Sequence, residues 1–347
     1  MLTVRSILCP VDFSEQSRRA LVWASAIARQ RGGELIVLFV GEPLLTQAAS
    51  IRLGVDLTLT ELRPALRAFV EATLPADDRL HAPVQMVVTV GEPAEVILRT
   101  ARRRKARLIV MGTHGRGGLR KLLLGSTAED VLRRTRCPVL AVPALPGGGA
   151  VDAGAHVAVT AILLATDFRD SAMAAVQWAA DLAFDLDARL VVAHVVEPVV
   201  VPRRWQMLAA DFEDDRVARA RARLARLAAN LREAHVSSAL SVGAAAESIA
   251  AMAVAHDAGL VVMGRAPVAD PAPHPGAIAY RVLRLAHVPV LVAPARTSRS
   301  GATHRSPCLA GHHDECHAAH PKHTPAASLR RTGACRPPAG PLGAPAR

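Results

Sequence analysis

Short apolar runs alternate with amphipathic stretches along residues 5–142. The five runs are RSILCPV, ELIVLFV, VQMVVTV, ARLIVMG and CPVLAVP. Between them, apolar residues recur at helical spacing over 14–31, about 58–74, 92–105 and about 122–135. Several runs are apolar on both faces, which is typical of parallel strands covered by helices on both sides. The pattern predicts an α/β domain with five parallel strands joined by right-handed crossovers.

The same pattern recurs in register from about residue 160. The matching segments are 7–43 on 162–198, 90–97 on 242–249, 109–112 on 261–264 and 137–143 on 288–294. In the longest match Asp12 falls on Asp167, and Phe13 falls on Phe168. A period of about 150 residues has the size of a domain. We therefore expect two domains folded alike, a first domain over 1–145 and a second domain over 158–295.

The remaining segments differ in composition from both domains. Gly and Ala dominate 146–157, which indicates a flexible linker. Pro, Arg, His, Gly and Ala without periodicity fill 296–347, which indicates a disordered tail. Cysteines and histidines occur in this tail at spacings that fit no standard zinc finger, so we expect no metal site there.

Charge is distributed unevenly along the chain. Lys and Arg number 21 against 13 Asp and Glu over 1–150, 13 against 15 over 151–295, and 8 against 2 over 296–347. An anionic partner such as a nucleotide or nucleic acid is one interpretation, and a solvated Arg-rich surface is the other. Aromatic residues make up 3% of the chain, too few to favour stacking on nucleic acid bases. The Arg-rich helix expected over about 211–234 needs no partner, because its acidic start and basic end match the helix dipole.

The sequence carries no pattern for membrane insertion or export. It has no run of about eighteen apolar residues and no signal peptide, so we expect no membrane partner and a cytoplasmic protein. Its five cysteines form no disulfide framework, which fits a reducing compartment. Cys9 and Cys137 lie in predicted strands and resemble small core residues.

The sharpest local signal is MGTHGRGGLRKLLLGST at 111–127, which runs from a strand end into a helix. Glycines allow backbone N–H groups to approach an anion, and a helix N-terminus adds unpaired donors. The side chains of His114, Arg116, Ser126 and Thr127 offer further donors to a phosphate. The alternative is an ordinary Gly-rich turn in which Ser126 is only the helix N-cap.

The spacing Gly112-x2-Gly115-x9-Gly125-Ser126 resembles the ATP-binding signature of the universal stress protein family. ILCPVDFSEQS at the first strand, LFVGEP after the second and CPVLAVP at the end agree with it, so the resemblance covers 3–143 and, more weakly, 158–294. It implies, in each domain, a five-stranded parallel sheet with helices on both faces, a Rossmann-like fold of the adenine nucleotide alpha hydrolase type. It also implies ATP as the ligand of the first domain, with Mg²⁺ held by the phosphates.

The resemblance further implies which residues contact the nucleotide. Asp12 and the backbone near Val11 and Val40 would face the adenine and ribose, and the loop with the following helix would hold the triphosphate. The full candidate set is Val11, Asp12, Val40, Met111, Gly112, His114, Gly115, Arg116, Gly125, Ser126 and Thr127. Asp12 has a second interpretation as a turn or capping residue. His194, in a strand of the second domain, is either a ligand contact or a buried histidine with satisfied nitrogens.

The second domain departs from the signature after Gly264, where the sequence is RAPVADPAPHPGAIAY. Pro267 stands near the position of the second glycine, and Ala277 replaces the serine. Proline removes an N–H group from a loop that works by offering such groups. We therefore expect no ATP in the second domain and a structural role, with sheet-edge or helix packing against the first domain as a pseudo-dimer. By analogy with dimers in the family, a homodimer of chains is also an option.

Three function classes remain open on sequence grounds. The first is an ATP-binding stress protein without catalytic residues, since no Walker A lysine, kinase catalytic loop or paired carboxylates occur near the site; any hydrolysis would be slow. The second is an ATP-using enzyme of related fold, for which His114 is the obvious catalytic candidate. The third is an interaction module that binds no nucleotide and keeps its glycines for turn geometry.

Overall fold

A computed structural model of the chain describes residues 6–43, 59–113, 124–144, 157, 159–199, 206–231, 235–265 and 277–294. The first domain contains β1 (Ser6–Val11), α1 (Glu15–Arg31), β2 (Glu34–Gly41), α2 (Leu59–Thr73), α3 (Ala76–His81), β3 (Val84–Val90), α4 (Pro93–Arg103), β4 (Leu108–Gly112), α5 (Ser126–Arg134) and β5 (Val139–Val142). The second contains β6 (Ala161–Ala165), α6 (Asp170–Asp185), β7 (Arg189–Val196), α7 (Gln206–Asn230), β8 (Val236–Val242), α8 (Ala245–Ala255), β9 (Leu260–Arg265), α9 (Ala277–Leu285) and β10 (Val290–Pro294). The predicted tail and nearly all of the predicted linker lie outside the described residues.

Most predicted elements occur where the periodicity placed them, with differences at their ends. Helix α5 begins at Ser126 rather than at about 122, and α7 spans Gln206–Asn230 rather than 211–234. Helix α3 was not predicted, because six residues are too few to show a helical period. Strand β5 begins at Val139, so Cys137 precedes the strand instead of lying in it.

All ten strands belong to one sheet in the order β3-β2-β1-β4-β5-β10-β9-β6-β7-β8. Within each domain the neighbouring strands are parallel, as the alternating pattern predicts. The two halves meet at β5 and β10, which pair antiparallel with Leu140 opposite Leu291. The strand order of the second half therefore mirrors that of the first, and the domains join by their sheet edges.

Helices cover both faces of this sheet. Ile7 and Cys9 point to one face and Leu8 to the other, as the pleat requires. Each face carries an apolar cluster with residues from both domains. Helices α1, α2, α6 and α7 contribute to the first cluster, and α4, α5, α8 and α9 contribute to the second.

Of the two described cysteines, Cys9 is a core residue, and Cys137 is half-buried and packs against the core. Cys9 is fully buried in β1, and burial raises the pKa of its thiol. Cys137 donates from Sγ to the Ala106 carbonyl oxygen at 3.2 Å, and burial raises the pKa of its thiol to about 12. Both therefore remain protonated and poorly nucleophilic at neutral pH.

A buried ion cluster links α1 of the first domain to α6 of the second. Arg31 is paired with Asp185, and its Nη1 lies 3.8 Å from Oδ2 of Asp181. All three side chains are less than 10% exposed, and Gln177 donates to Oδ1 of Asp181 at 3.2 Å. Burial raises the pKa of Asp185, and the Arg31 charge opposes that rise. Arg31 thus supplies the positive charge that compensates both buried carboxylates.

Replacing Arg31 by Leu should lower the free energy of unfolding by about 3–5 kcal/mol, because both carboxylates lose their buried partner. Since the raised pKa of Asp185 makes the native state bind more protons than the unfolded state, stability should fall as pH rises from the ordinary Asp range through the raised pKa. Urea denaturation at several pH values measures both effects.

The matched control is Arg133→Leu, which breaks an exposed pair with Asp130 and should cost at most about 1 kcal/mol. Equal losses in the two variants would mean that the buried cluster does not hold the domains together.

Candidate functional site

The carboxyl ends of β1 and β4 form the switch point of the first domain. The chain leaves β1 toward β2 on one side, while β4 lies on the other side with Leu8 opposite Ile109. Ligands of open α/β sheets bind in the crevice at such a point. Val11 and Met111, both nearly buried, are here the last apolar residues of these two strands.

The neighbouring strand β2 brings Val40 to the same edge. Phe39 pairs with Val11, so Val40 lies one residue beyond that pair, level with Asp12. Val40 and Asp12 are both half-buried. The sheet register therefore brings Val11, Asp12, Val40, Met111 and Gly112 to the same carboxyl end of the sheet.

Helix α5 is tied to the end of β4 by a backbone hydrogen bond. Gly125 N donates to the Thr113 carbonyl oxygen at 2.8 Å, and Thr113 N donates to that of Val142 at 3.0 Å. These two hydrogen bonds fix the residues on either side of the loop, Thr113 and Gly125. His114, Gly115 and Arg116 lie between those two residues, outside the described residues.

Gly125, not Ser126, occupies the N-cap of α5, with φ −62° and ψ 144°. The alternative in which Ser126 caps the helix is therefore wrong. Ser126 is the first helical residue and is exposed, and Thr127 follows it, half-buried. Among the described residues no side chain is seen to cap this end, so the first-turn N–H groups and two hydroxyls form a donor set that fits a phosphate.

Asp12 holds the turn between β1 and α1. Its Oδ1 accepts from Ser14 N at 3.0 Å and from Ser14 Oγ at 2.5 Å, and Ser14 in turn caps α1 by accepting from Ser17 N at 3.2 Å. Asp167 accepts from Arg169 N at 3.0 Å in the same way. The turn interpretation of Asp12 is thus confirmed, and a contact with the ribose stays a prediction.

Sequence reasoning gave no role to the aromatic residue that follows each aspartate. Phe13 and Phe168 both adopt left-handed backbone conformations, with φ of 63° and 60°. Such values are unusual for a bulky residue and persist only where the surroundings enforce them. Phe13 stacks on Phe39 with ring centroids 4.6 Å apart. The match of Phe13 to Phe168 in the repeat was the signal that could have marked this position.

Gly112 has a packing role that is independent of any ligand. A Cβ at this position would lie 2.9 Å from the Gln16 Cβ and 3.2 Å from the Gln16 carbonyl carbon. The first turn of α1 therefore packs so closely on the end of β4 that a side chain has no room. The resemblance to the signature assigns Gly112 to the binding of an anion. The structure shows that a glycine is also needed here for the close contact with α1.

Gly112→Ala should push α1 away from β4 and lower the free energy of unfolding by about 1–3 kcal/mol, as overpacking does. Gly259→Ala is the matched control, because its Cβ would make an ordinary 3.4 Å contact with Val159. Urea denaturation of both variants checks the expectation. Equal stabilities would show that the first turn of α1 shifts freely.

The second domain contacts the opposite end of α5. Arg265, at the end of β9, donates to the carbonyl oxygens of Arg133 at 2.8 Å and Thr135 at 2.6 Å, and also to that of Leu132. These carbonyls belong to the C-terminal end of the helix, where a cation also complements the dipole. Burial lowers the pKa of Arg265. In the repeat, Arg265 takes the place of Thr113, and no sequence pattern indicated its contact.

Arg265→Met keeps the aliphatic stem but leaves the end of α5 without its donors. We expect the free energy of unfolding to fall by about 1–3 kcal/mol and amide hydrogen exchange in α5 to accelerate. Arg281→Met removes an exposed pair with Glu247 and should cost at most about 1 kcal/mol. If exchange in α5 were unchanged in Arg265→Met, the helix would not depend on the second domain.

The model of the Universal stress protein family matches residues 3–143 and 159–294 of this chain. The chain belongs to the universal stress protein family. Both predicted domains are thus family domains, including the second one with its altered loop.

Individual relatives agree with this assignment. A universal stress protein of Thermus aquaticus is 35% identical over 148 residues, which are 40% of this chain and 98% of that relative. YxiE of Bacillus subtilis, also a universal stress protein, is 28% identical over 39% of this chain and 97% of its own length. A solved universal stress protein from Archaeoglobus fulgidus covers 85% of this chain and 100% of its own, with a TM-score of 0.58 at 19% identity, which shows the shared fold.

The described residues contain no helix long and apolar enough to cross a membrane. Within the same part of the chain, no three His, Cys, Asp or Glu residues group as ligands for a metal ion.

Proposed function

We propose that this universal stress protein binds one ATP in its first domain and acts in the cytoplasm as a nucleotide-dependent regulator of the stress response. The second domain would serve as its structural partner. The observation that carries the proposal is the N-terminus of α5, whose N-cap is a glycine without a capping side chain and which is tied through Gly125 and Thr113 to the end of β4 at the switch point.

The chemistry of that helix end supports a phosphate. The first-turn N–H groups of Ser126 and Thr127 have no side-chain cap among the described residues, and the helix dipole adds positive potential there. A phosphate would take these donors together with the two hydroxyls. The excess of Lys and Arg over 1–150 favours the approach of an anion. Mg²⁺ would arrive with the nucleotide, held by the phosphates.

The same site supports binding more than catalysis. Oδ1 of Asp12 accepts two hydrogen bonds from Ser14, which suits a turn rather than a general base. We therefore expect ATP to be held with at most slow hydrolysis, so that the loaded and empty forms differ in shape or partner affinity.

An interaction module without nucleotide is the second candidate, and one observation favours it. The contact of Gly112 with Gln16 and the turn held by Asp12 both exist without a ligand. Two of the candidate nucleotide contacts, Gly112 and Asp12, therefore have structural reasons of their own. Ser126 discriminates between the candidates, because its exposed hydroxyl has no such role in the described structure.

Isothermal titration of the nucleotide-stripped chain with ATP and Mg²⁺ should give one site per chain. Ser126→Ala should weaken binding about tenfold, as the loss of a hydrogen bond to a charged phosphate does. Gly115→Pro should abolish binding, because proline removes an N–H group from the loop. Ser237→Ala, an exposed serine of β8, is the matched control and should bind as the unmodified chain does.

Two results would overturn the proposal. Absence of binding heat together with absence of co-purified nucleotide would favour the interaction module. Two sites per chain would show that the second domain also binds ATP despite its altered loop.

A further inference from the structure

The second domain contains a cleft of about 330 Å³ at the carboxyl ends of β6 and β7, beside α7. Its lining combines an aromatic surface, formed by Phe168 and His194, with four arginines: Arg169, Arg216, Arg219 and Arg223. Clefts of this size hold small ligands.

The lining carries an excess of positive charge. Its carboxylates are Asp167 and Glu197, against the four guanidinium groups. Both acids are already engaged: Asp167 accepts from Arg169 N and lies 3.6 Å from Nε of the same arginine, and Oε1 of Glu197 accepts from Ala245 N at the start of α8 at 3.3 Å, so the excess charge comes from the arginines of α7. The cleft is therefore suited to an anion.

Three of the arginines share one face of α7, because they are three and four residues apart. Arg216 donates from Nη1 to the Glu197 carbonyl oxygen at 2.9 Å, and Arg223 donates from Nη2 to that of Phe168 at 3.3 Å. Arg219 pairs with Asp215 at 2.9 Å. A guanidinium has five N–H donors, so the bonds of Arg216 and Arg223 position them and leave donors for a ligand.

The aromatic surface is also held in place. The rings of Phe168 and His194 lie 4.4 Å apart, and the Arg223 guanidinium lies 4.5 Å from the Phe168 centroid. Nδ1 of His194 is 2.7 Å from the Thr166 carbonyl oxygen and therefore donates to it. Nδ1 of His194 is thus satisfied, but the side chain is half-buried rather than buried and lines the cleft.

The equivalent place in the first domain is filled by aromatic rings. Phe13 contacts Phe39 at 4.6 Å and Phe69 at 5.4 Å between centroids. His194 replaces Phe39 in the repeat, and Arg223 lies against Phe168 as Phe69 lies against Phe13. The second domain thus has a cationic surface where the first domain has an apolar cluster of three rings.

We propose that the second domain binds a small phosphate ester in this cleft. Arg216, Arg219 and Arg223 hold the phosphate, and the surface of Phe168 and His194 contacts the apolar part of the ester. Guanidinium groups suit phosphate oxygens because they donate in pairs. This site uses none of the residues of the signature in the first domain, so it stands independently of ATP binding there.

The test titrates the full chain carrying Gly115→Pro, which disables the loop of the first domain, with phenyl phosphate and with inorganic phosphate. One saturable site is expected, with phenyl phosphate bound more tightly because its ring contacts Phe168 and His194. Arg216→Gln and Arg223→Gln should each weaken binding about tenfold. Arg221→Gln removes the same charge from the same helix outside the cleft lining and should leave the affinity unchanged.

A second measurement separates a loss of binding from a loss of folding. The imidazole resonances of His194 should shift on titration in the Arg221→Gln chain and should need about tenfold more phenyl phosphate for the same shift in Arg223→Gln, while circular dichroism confirms that both are folded. Equal weakening by Arg221→Gln would indicate diffuse attraction to the helix and overturn the proposal. Loss of all phosphate binding in the Gly115→Pro background would assign the anion to the first domain and overturn it as well.

Discussion

The antiparallel pairing of β5 with β10 is the constraint on which the rest of this molecule depends. Each domain alone would end in a strand with unpaired backbone groups, and such an edge recruits another chain. The duplication supplies that partner within the same chain. Once the edges are paired, the two apolar clusters run across both halves, and side chains at the junction become interior residues. Arg31 with Asp181 and Asp185 is one product of this arrangement, and the contact of Arg265 with α5 is another.

Helix α5 connects the junction to the candidate site. Its N-terminal end faces the switch point through the Thr113 and Gly125 hydrogen bond, and its C-terminal end is held by Arg265 of the second domain. A nine-residue helix is about 13 Å long, so the two ends are positioned together as one rigid unit. The second domain, although its loop departs from the signature, therefore fixes the orientation of the helix that would receive a phosphate in the first. The contact of Arg265 with α5 is therefore one specific way in which the second domain supports the structure of the first.

Local patterns predicted much of this fold, and the failures share one cause. Strand and helix alternation and the 150-residue repeat depend on neighbouring residues, so the parallel sheet and its helices could be predicted from sequence. Gly112 was placed correctly at the end of a strand, and Gly125 with Ser126 at the start of a helix, while Gly115 lies outside the described residues. Gly112 against Gln16, Arg265 on α5 and Arg31 between two aspartates depend on residues far apart in the chain, and no local period records such pairs. The start of α5 was misplaced because apolar LLL at 122–124 continues its period beyond the true cap.

The two domains share the backbone turn after their first strand but differ in the side chains around it. The turn held by aspartate and the left-handed phenylalanine persist in both copies, because they join the first strand to the first helix. The neighbours of that phenylalanine differ, with Phe39 and Phe69 in one domain and His194 and Arg223 in the other. A backbone turn that is costly to form is thus retained, while the side chains around it set the chemistry of the adjacent surface. Since the sheet junction already secures the second domain, the carboxyl ends of its strands can carry different side chains, and the arginines of α7 line them where the first domain has aromatic rings.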